Sequence, residues 1–121
     1  MLIQTSCPLD YSLCNQTVTV YRLQGETVLR QVVQGCYFES RTERKTDALG
    51  SRTDFGFLLV TPGPEQRVFP GDRVMPGVGP EIEPEQWAGF IPAEMPGLYE
   101  AAYAAPYRWD GKLCHVEAGR K

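Results

Sequence analysis

The sequence lacks the groups on which most enzymes and metal proteins depend. It holds one histidine in 121 residues. It contains no H-E-x-x-H, no G-x-S-x-G, no phosphate-binding P-loop and no EF-hand loop. Its carboxylates, such as Glu81, Glu83 and Glu94, stand in loop-like sequence at no diagnostic spacing. We therefore predict a protein that is not an enzyme and that uses no cofactor.

Long apolar runs and a strong net charge are also missing. No segment approaches the roughly 20 apolar residues of a membrane-spanning helix. Residues 1–15 show neither the basic leader nor the apolar core of a signal peptide. A net charge of −3 is too small to indicate a nucleic-acid or membrane partner by itself. We expect a cytosolic chain with reduced thiols.

The cysteines do not form a recognisable metal-binding pattern. The candidate ligands are Cys7, Cys14, Cys36, Cys114 and His115. No C-x2-C or C-x4-C pair is present to begin a zinc site, although zinc and two disulfides both remain alternatives. The simpler interpretation makes Cys36 and Cys114 small core residues. Because neighbouring strand residues point to opposite faces, Cys114 and His115 cannot form a catalytic dyad with each other.

Turn-forming residues are abundant, and they indicate a β protein. The chain has 12 glycines and 10 prolines without any period, and 42% of its residues are hydrophobic. This composition is typical of a loop-rich β fold with one core. We predict an irregular N-terminal arm over residues 1–15 and a single β domain over residues 16–121.

Residues 54–75 form the most apolar segment, and the rest of the chain is arranged around it. A buried strand over residues 55–60 is predicted because both strand faces are apolar, as in the middle of a small sandwich or barrel. A Pro-Gly-Pro-Glu turn follows. Residues 66–69 then resemble a short strand, and Pro70, Gly71 and Asp72 predict a type I or II turn.

The other strands are predicted from β-branched alternation and from turn residues. Residues 16–23 give the clearest strand. Residues 27–40 favour a strand over a helix, with Gly35 at a bulge or sharp bend. Residues 87–92 suggest an edge strand, and residues 98–109 fit either a helix or a strand. Asp110-Gly111 is a hairpin turn that leads to a final strand over residues 112–118.

Two polar or irregular segments connect these strands. Residues 41–53 predict a long exposed loop that is locally basic, with Arg41, Arg44, Lys45 and Arg52. Such a loop is either simply solvated or functional, because long loops in small domains often carry function. Residues 76–86 are rich in proline and glycine and predict a surface crossing without regular structure.

The order of these segments resembles that of head-closure and head–tail adaptor proteins of tailed bacteriophages and prophages. The segments that carry the resemblance are TVTVYRL, VLRQVVQGCYFES, DFGFLLVTP, FPGDRVM and GKLCHVEAGRK. The resemblance implies a mainly β fold, a small SH3-like β-barrel with long loops and room for one short helix. The segment of residues 77–106 is longer than the usual link to the last strand in these phage proteins, and it contains more proline and alanine.

The resemblance also implies a structural role in the virion neck. Such proteins form homo-oligomeric rings between portal and tail, close the head and dock the tail, and they assemble in the bacterial cytoplasm. Residues 41–53 would then face the channel, where the basic side chains could meet packaged DNA. Trp87, Phe90, Ile91 and Tyr99 are candidate interface anchors, or they complete a small core. The alternatives are a soluble β-barrel module that binds a peptide or oligonucleotide, and an enzyme or metal protein using Cys114 and His115.

Overall fold

The computed structural model describes residues 7–120, and it is almost entirely β. Seven strands form one curled antiparallel sheet in the order β7-β6-β1-β2-β5-β9-β8, and two more form a separate ribbon. The strands are β1 (Gln16–Gln24), β2 (Thr27–Ser40), β3 (Glu43–Asp47), β4 (Gly50–Asp54), β5 (Phe57–Pro62), β6 (Arg73–Pro76), β7 (Tyr99–Glu100), β8 (Tyr103–Trp109) and β9 (Lys112–Arg120). The sheet curls into a half-barrel, so the mainly-β prediction is confirmed.

Strand β5 lies inside the sheet, as its apolar sequence predicts. It pairs with β2 on one side and with β9 on the other. Phe57, Leu59 and Thr61 face the interior with 0–1% exposure, while the alternate residues are half-buried. The core around them is built from β-branched and small side chains, namely Val18, Val20, Val33, Cys36, Val68, Val74, Ala101 and Ala118.

The β1–β2 ladder contains the bulge that Gly35 predicts. Gln16 pairs with Cys36, and Val18 pairs with Val33, so β2 carries one extra residue between these points. Gly35 has φ +69°, a left-handed conformation that glycine adopts at little cost. The bulge bends β2, so that its first half pairs with β1 and its second half with β5.

A single stretch of chain joins the two edges of the sheet. β7 pairs with β6 at one edge, and β8 pairs with β9 at the other. Between them, Ala101 donates to the Asp72 carbonyl and Ala102 donates to the Gly119 carbonyl. The ambiguous segment 98–109 therefore holds no helix and forms two strands, β7 and β8, joined through Ala101 and Ala102. The Asp110-Gly111 hairpin is confirmed, with both residues at positive φ as a type I′ turn requires.

The turn before β6 is built around one buried carboxylate. Asp72 is 1% exposed. It accepts two hydrogen bonds from the Arg22 guanidinium, at 2.8 and 2.7 Å, and one from the Phe69 amide at 2.9 Å. The turn at Pro70-Gly71 is confirmed, but the strand expected over residues 66–69 is wrong. The Phe69 amide bonds to Asp72 within the same turn, so it is not available for a ladder, while Val68 fills the core.

The crossing and the expected edge strand after β6 differ from prediction. Residues 77–83 are irregular, but a 3₁₀-helix spans Pro84–Gly89. It begins where Pro84 can occupy the first turn and where Gln86 accepts from the Glu83 amide at 2.7 Å. The edge strand over residues 87–92 is therefore wrong. Its apolar side chains pack inward in a second cluster with Tyr21 and Leu98 instead of joining the sheet.

Removing the buried carboxylate should destabilise the barrel strongly. In Asp72→Ala, the Arg22 guanidinium loses its partner while its side chain stays only 24% exposed. We expect the free energy of unfolding to fall by about 3 kcal/mol, measured by urea denaturation. Glu39→Gln is the matched control, because the Arg41–Glu39 pair is largely exposed and its loss should cost at most about 0.5 kcal/mol. Equal effects of the two substitutions would contradict this assignment.

Candidate functional site

The most prominent surface feature is a β-hairpin that projects from the end of the β2–β5 ladder. We call residues 41–54 the finger. Glu43–Asp47 and Gly50–Asp54 pair in register, and residues 41–53 are all exposed. At a strand rise of about 3.3 Å per residue, the paired part extends for roughly 17 Å. The prediction of an unstructured loop here is wrong, whereas its exposure is confirmed. Polar residues on both faces hide the alternation by which a strand is recognised.

The finger is less basic than its sequence suggests. Residues 39–54 carry four cations and four carboxylates, which gives no net charge. Lys45 lies 3.3 Å from the Asp54 carboxylate, and Arg41 lies 3.2 Å from that of Glu39. Within residues 7–120, Arg44 and Arg52 form no ion pair, and they stand on opposite faces of the ribbon because Arg52 pairs with Lys45.

The tip of the finger is apolar. Leu49 is 98% exposed, the highest value among the exposed large hydrophobic side chains. Its amide donates to the Asp47 carboxylate at 2.8 Å, which fixes the two-residue turn. An apolar side chain held at the end of a polar ribbon is a feature of contact surfaces. Sequence reasoning missed Leu49, because one leucine in a polar segment gives no periodic signal.

The four candidate anchor residues do not form one surface. Phe90 is 3% exposed and packs against Tyr21 with ring centroids 4.7 Å apart. Trp87 is half-buried beneath the Arg73 guanidinium, which lies 3.8 Å from its ring centroid. Both therefore belong to the second core cluster, the alternative that the sequence left open.

Tyr99 and Ile91 lie closer to the root of the finger. The Tyr99 hydroxyl is 2.9 Å from that of Ser40, the last residue of β2. Ile91 lines a cavity of about 340 Å³ together with Phe55, Asp54, Glu100 and Arg120. This cavity lies where the finger meets the barrel, so Ile91 is placed for contact with a chain that binds there, whereas Tyr99 is half-buried and packs on the main core through Phe38 and Phe57.

The cysteines are arranged differently from the expectation of reduced thiols. Cys7 and Cys114 form a disulfide that links the N-terminal segment to β9. Cys114 is buried, as predicted, but it is not a free thiol. Cys36 is a buried core residue, as predicted, and burial raises its pKa to about 11. Within residues 7–120, no group of three or more His, Cys, Asp or Glu side chains is placed to hold a metal ion.

The disulfide holds residues 7–15, which we call the strap, against β9, and a further contact reinforces it. This contact is aromatic. The Tyr11 hydroxyl lies 2.7 Å from His115 Nδ1, and the Tyr107 ring stacks on the imidazole with centroids 5.0 Å apart. Cys114 and His115 point to opposite faces of β9, as predicted. The strap therefore contacts both faces, through Cys7 on one and Tyr11 on the other. Residues 1–6 of the expected N-terminal arm lie outside the described residues, and residues 7–15 are irregular as expected.

Comparison with protein-family models, curated proteins and solved structures gives no match. In the part of the chain that the structure describes, no helix is long and apolar enough to cross a bilayer.

The strap contact should depend on pH. Burial lowers the pKa of His115 from its usual 6.5, while Glu117 acts weakly in the opposite direction. The unfolded chain therefore binds a proton more readily, and the stability due to His115 should be complete above pH 6.5 and decline as the pH falls. Urea denaturation at about pH 7.5 and about pH 5.5 measures this slope. His115→Gln should flatten it, and an unchanged slope would contradict the assignment.

Proposed function

We propose that this chain is a structural, non-enzymatic subunit of the neck of a tailed bacteriophage or prophage-derived particle. Copies of it form a ring between portal and tail that closes the head and docks the tail. The observation that carries the proposal is the finger, whose residues 41–53 are exposed throughout. A two-stranded ribbon is marginally stable by itself in water. A ribbon of this kind gains stability from a neighbouring subunit or from the wall of a channel.

The resemblance in the order of segments supports the same role. The finger occupies the position between the second and third predicted strands, where the resemblance implies a loop that faces the channel. Arg44 and Arg52 supply its unpaired cations, and their contact with DNA would be with phosphates and independent of sequence. Because the finger carries four cations against three carboxylates, and Glu39 beside it balances the fourth, its contribution to DNA binding is small, and its main role is in contacts between proteins.

Ring formation requires two different surfaces on one subunit. A heterologous contact closes into a ring when the rotation between neighbours divides a full turn. The apolar tip at Leu49 provides one surface. The cavity at the finger root, with Ile91 and Phe55 in its wall, provides another that is chemically different. One molecule therefore carries both a projecting element and a recess.

A monomeric binding module is the second candidate. Strand β8 pairs only with β9 within residues 7–120, so its outer edge is open. An extended peptide can bind such an edge by adding a strand. Pro106 stands in the middle of β8 and removes one backbone donor, which disfavours this addition. For this reason the ring is preferred.

Removing the finger should prevent ring assembly while the barrel still folds. Residues 41–56 can be replaced by Asn-Gly, because Ser40 and Phe57 are cross-strand partners that a two-residue turn can join. We expect a folded monomer that no longer forms rings, as seen by native mass spectrometry and electron microscopy. Wild-type protein that forms no ring at any concentration and binds neither portal nor tail protein would refute the proposed function. Rings formed equally well without the finger would refute only its role.

Charge substitutions test the channel-facing position of the finger. Replacing Arg41, Arg44, Lys45 and Arg52 with serine should leave folding intact, because all four side chains are exposed. If the finger faces the channel, particles carrying this variant should lose packaged DNA more readily. Replacing Glu39, Glu43 and Asp54 with serine is the control, because it removes carboxylates from the same region and keeps Asp47, which fixes the turn; it should have the opposite effect. Equal DNA retention in both variants and the wild type would contradict a position facing DNA.

A further inference from the structure

The disulfide lies in the wall of a surface groove at one end of the barrel. The groove has a volume of about 660 Å³, and its lining includes Cys7, Cys114, Tyr11, Leu113, Arg108 and Lys112. Its position at the β8–β9 turn places it on a different part of the barrel from the finger, which extends from β2 and β5. The chemistry of this groove is independent of the proposed role in a virion neck.

The lining of this groove carries positive charge only. Arg108 and Lys112 flank the Asp110-Gly111 turn, and the lining holds no carboxylate, since Asp110 is not part of it. Within residues 7–120, neither Arg108 nor Lys112 forms an ion pair, in contrast to Arg22, Arg41 and Lys45. Two unpaired cations beside a disulfide attract anions, and they raise the local concentration of a thiolate that also carries a carboxylate.

The two sulfur atoms differ in access. Cys7 is half-buried, whereas Cys114 is 2% exposed and belongs to the inward-facing row of β9. An incoming thiolate therefore reaches the sulfur of Cys7 more readily. The two other cysteines are poor competitors, because burial raises the pKa of both the Cys14 and the Cys36 thiols and keeps them protonated.

We propose that the Cys7–Cys114 disulfide is a site of reversible exchange with small, carboxylate-bearing thiols, which Arg108 and Lys112 attract, and that this exchange releases the strap. In the first step a thiolate attacks Cys7 Sγ, a mixed disulfide forms on Cys7, and Cys114 departs as a thiolate that takes a proton from water. A second thiolate attacks the sulfur of the small thiol in the mixed disulfide. The two small thiols leave joined to each other as a symmetrical disulfide. Cys7 departs as a thiolate and takes a proton from water. Two small thiols are thereby oxidised for each protein disulfide reduced.

Release of the strap changes the surface of the barrel. Once the disulfide is open, residues 7–15 keep the Tyr11–His115 hydrogen bond and the edge-on contact of their rings on β9, and these do not outweigh the conformational entropy that a mostly exposed segment regains on release. Detachment uncovers the part of the His115 imidazole that Tyr11 contacts, while the Tyr107 ring stays stacked on the same imidazole. The same chain thus presents two different surfaces in thiol-rich and in oxidising surroundings.

Exchange rates with three probe thiols test the role of the two cations. The probes are mercaptoacetate, 2-mercaptoethanol and cysteamine, which carry negative, zero and positive charge, compared at equal thiolate concentrations. Rates with the urea-unfolded chain give the intrinsic reactivity of each probe. Relative to that reference, mercaptoacetate should react with folded protein roughly fivefold faster than 2-mercaptoethanol, the factor expected for one close charge contact in water. Cysteamine should be the slowest, and added salt should reduce the differences.

A double substitution, Arg108→Ser with Lys112→Ser, should remove this preference and leave the 2-mercaptoethanol rate unchanged. Arg41→Ser with Arg44→Ser is the matched control, because it removes two cations from the finger and should retain the preference. If the three probe thiols react in the same order of rates with both double variants, the role of the groove is overturned. A disulfide that resists all three probes in folded protein would overturn the exchange site itself.

Hydrogen exchange tests the release of the strap separately. In the full chain, the amides of Ser12, Cys14 and Asn15, which donate hydrogen bonds within residues 9–15, should lose protection after reduction, while those of β5 and β9 keep theirs. Cys14→Ser should behave like the wild type, which shows that the Cys7 linkage is responsible. Cys7→Ser should show the released strap without any reductant. Unchanged protection of residues 9–15 in the reduced chain would overturn the release, whether or not the disulfide had exchanged.

Discussion

The barrel depends on the contact between Arg22 and the buried Asp72 carboxylate. This contact fixes the turn before β6, and that turn supplies the Asp72 carbonyl to the Ala101 amide and the Gly71 amide to the Ala101 carbonyl. Through Ala101, the chain passes from one edge of the sheet to the other. The Asp72 carboxylate is 1% exposed, and burying it is tolerated only when its hydrogen bonds are complete. The turn therefore either forms with all of these hydrogen bonds or does not form. The curvature of the whole sheet is therefore tied to one ion pair between β1 and a loop.

Features set by neighbouring residues could be predicted from the sequence. The strand in β5, the bulge at Gly35, the turn at Pro70-Gly71 and the Asp110-Gly111 hairpin all follow from local preferences. Features set by distant partners could not. The Phe69 amide is directed to Asp72 instead of a neighbouring strand, and Phe90 is drawn into a cluster with Tyr21. In both cases a short apolar segment resembles a strand until its tertiary partners are known.

The candidate sites show the same division. The exposure of residues 41–53 follows from their polarity. Their pairing as a ribbon does not, because neither strand has apolar alternation and each is identified only by its hydrogen bonds to the other. The sequence interpretation of this segment rests on its four cations, Arg41, Arg44, Lys45 and Arg52. The fold places a carboxylate beside two of them, Arg41 and Lys45. The Cys7–Cys114 link joins positions 107 residues apart, and spacing alone cannot choose among the three pairings of four cysteines.

That link has a mechanical consequence. Because Cys7 and Cys114 enclose residues 8–113 in a covalent loop, tension applied from outside this loop passes through the sulfur–sulfur bond once residues 115–120 have been pulled away from β5 and β8. The ladders that lie wholly inside the loop, such as β1 with β2 and β2 with β5, carry no load until the bond is reduced. An oxidised subunit under tension would yield only residues outside the closed loop, whereas a reduced one would unravel strand by strand. The thiol content of the surroundings would thus decide how far this small barrel can stretch.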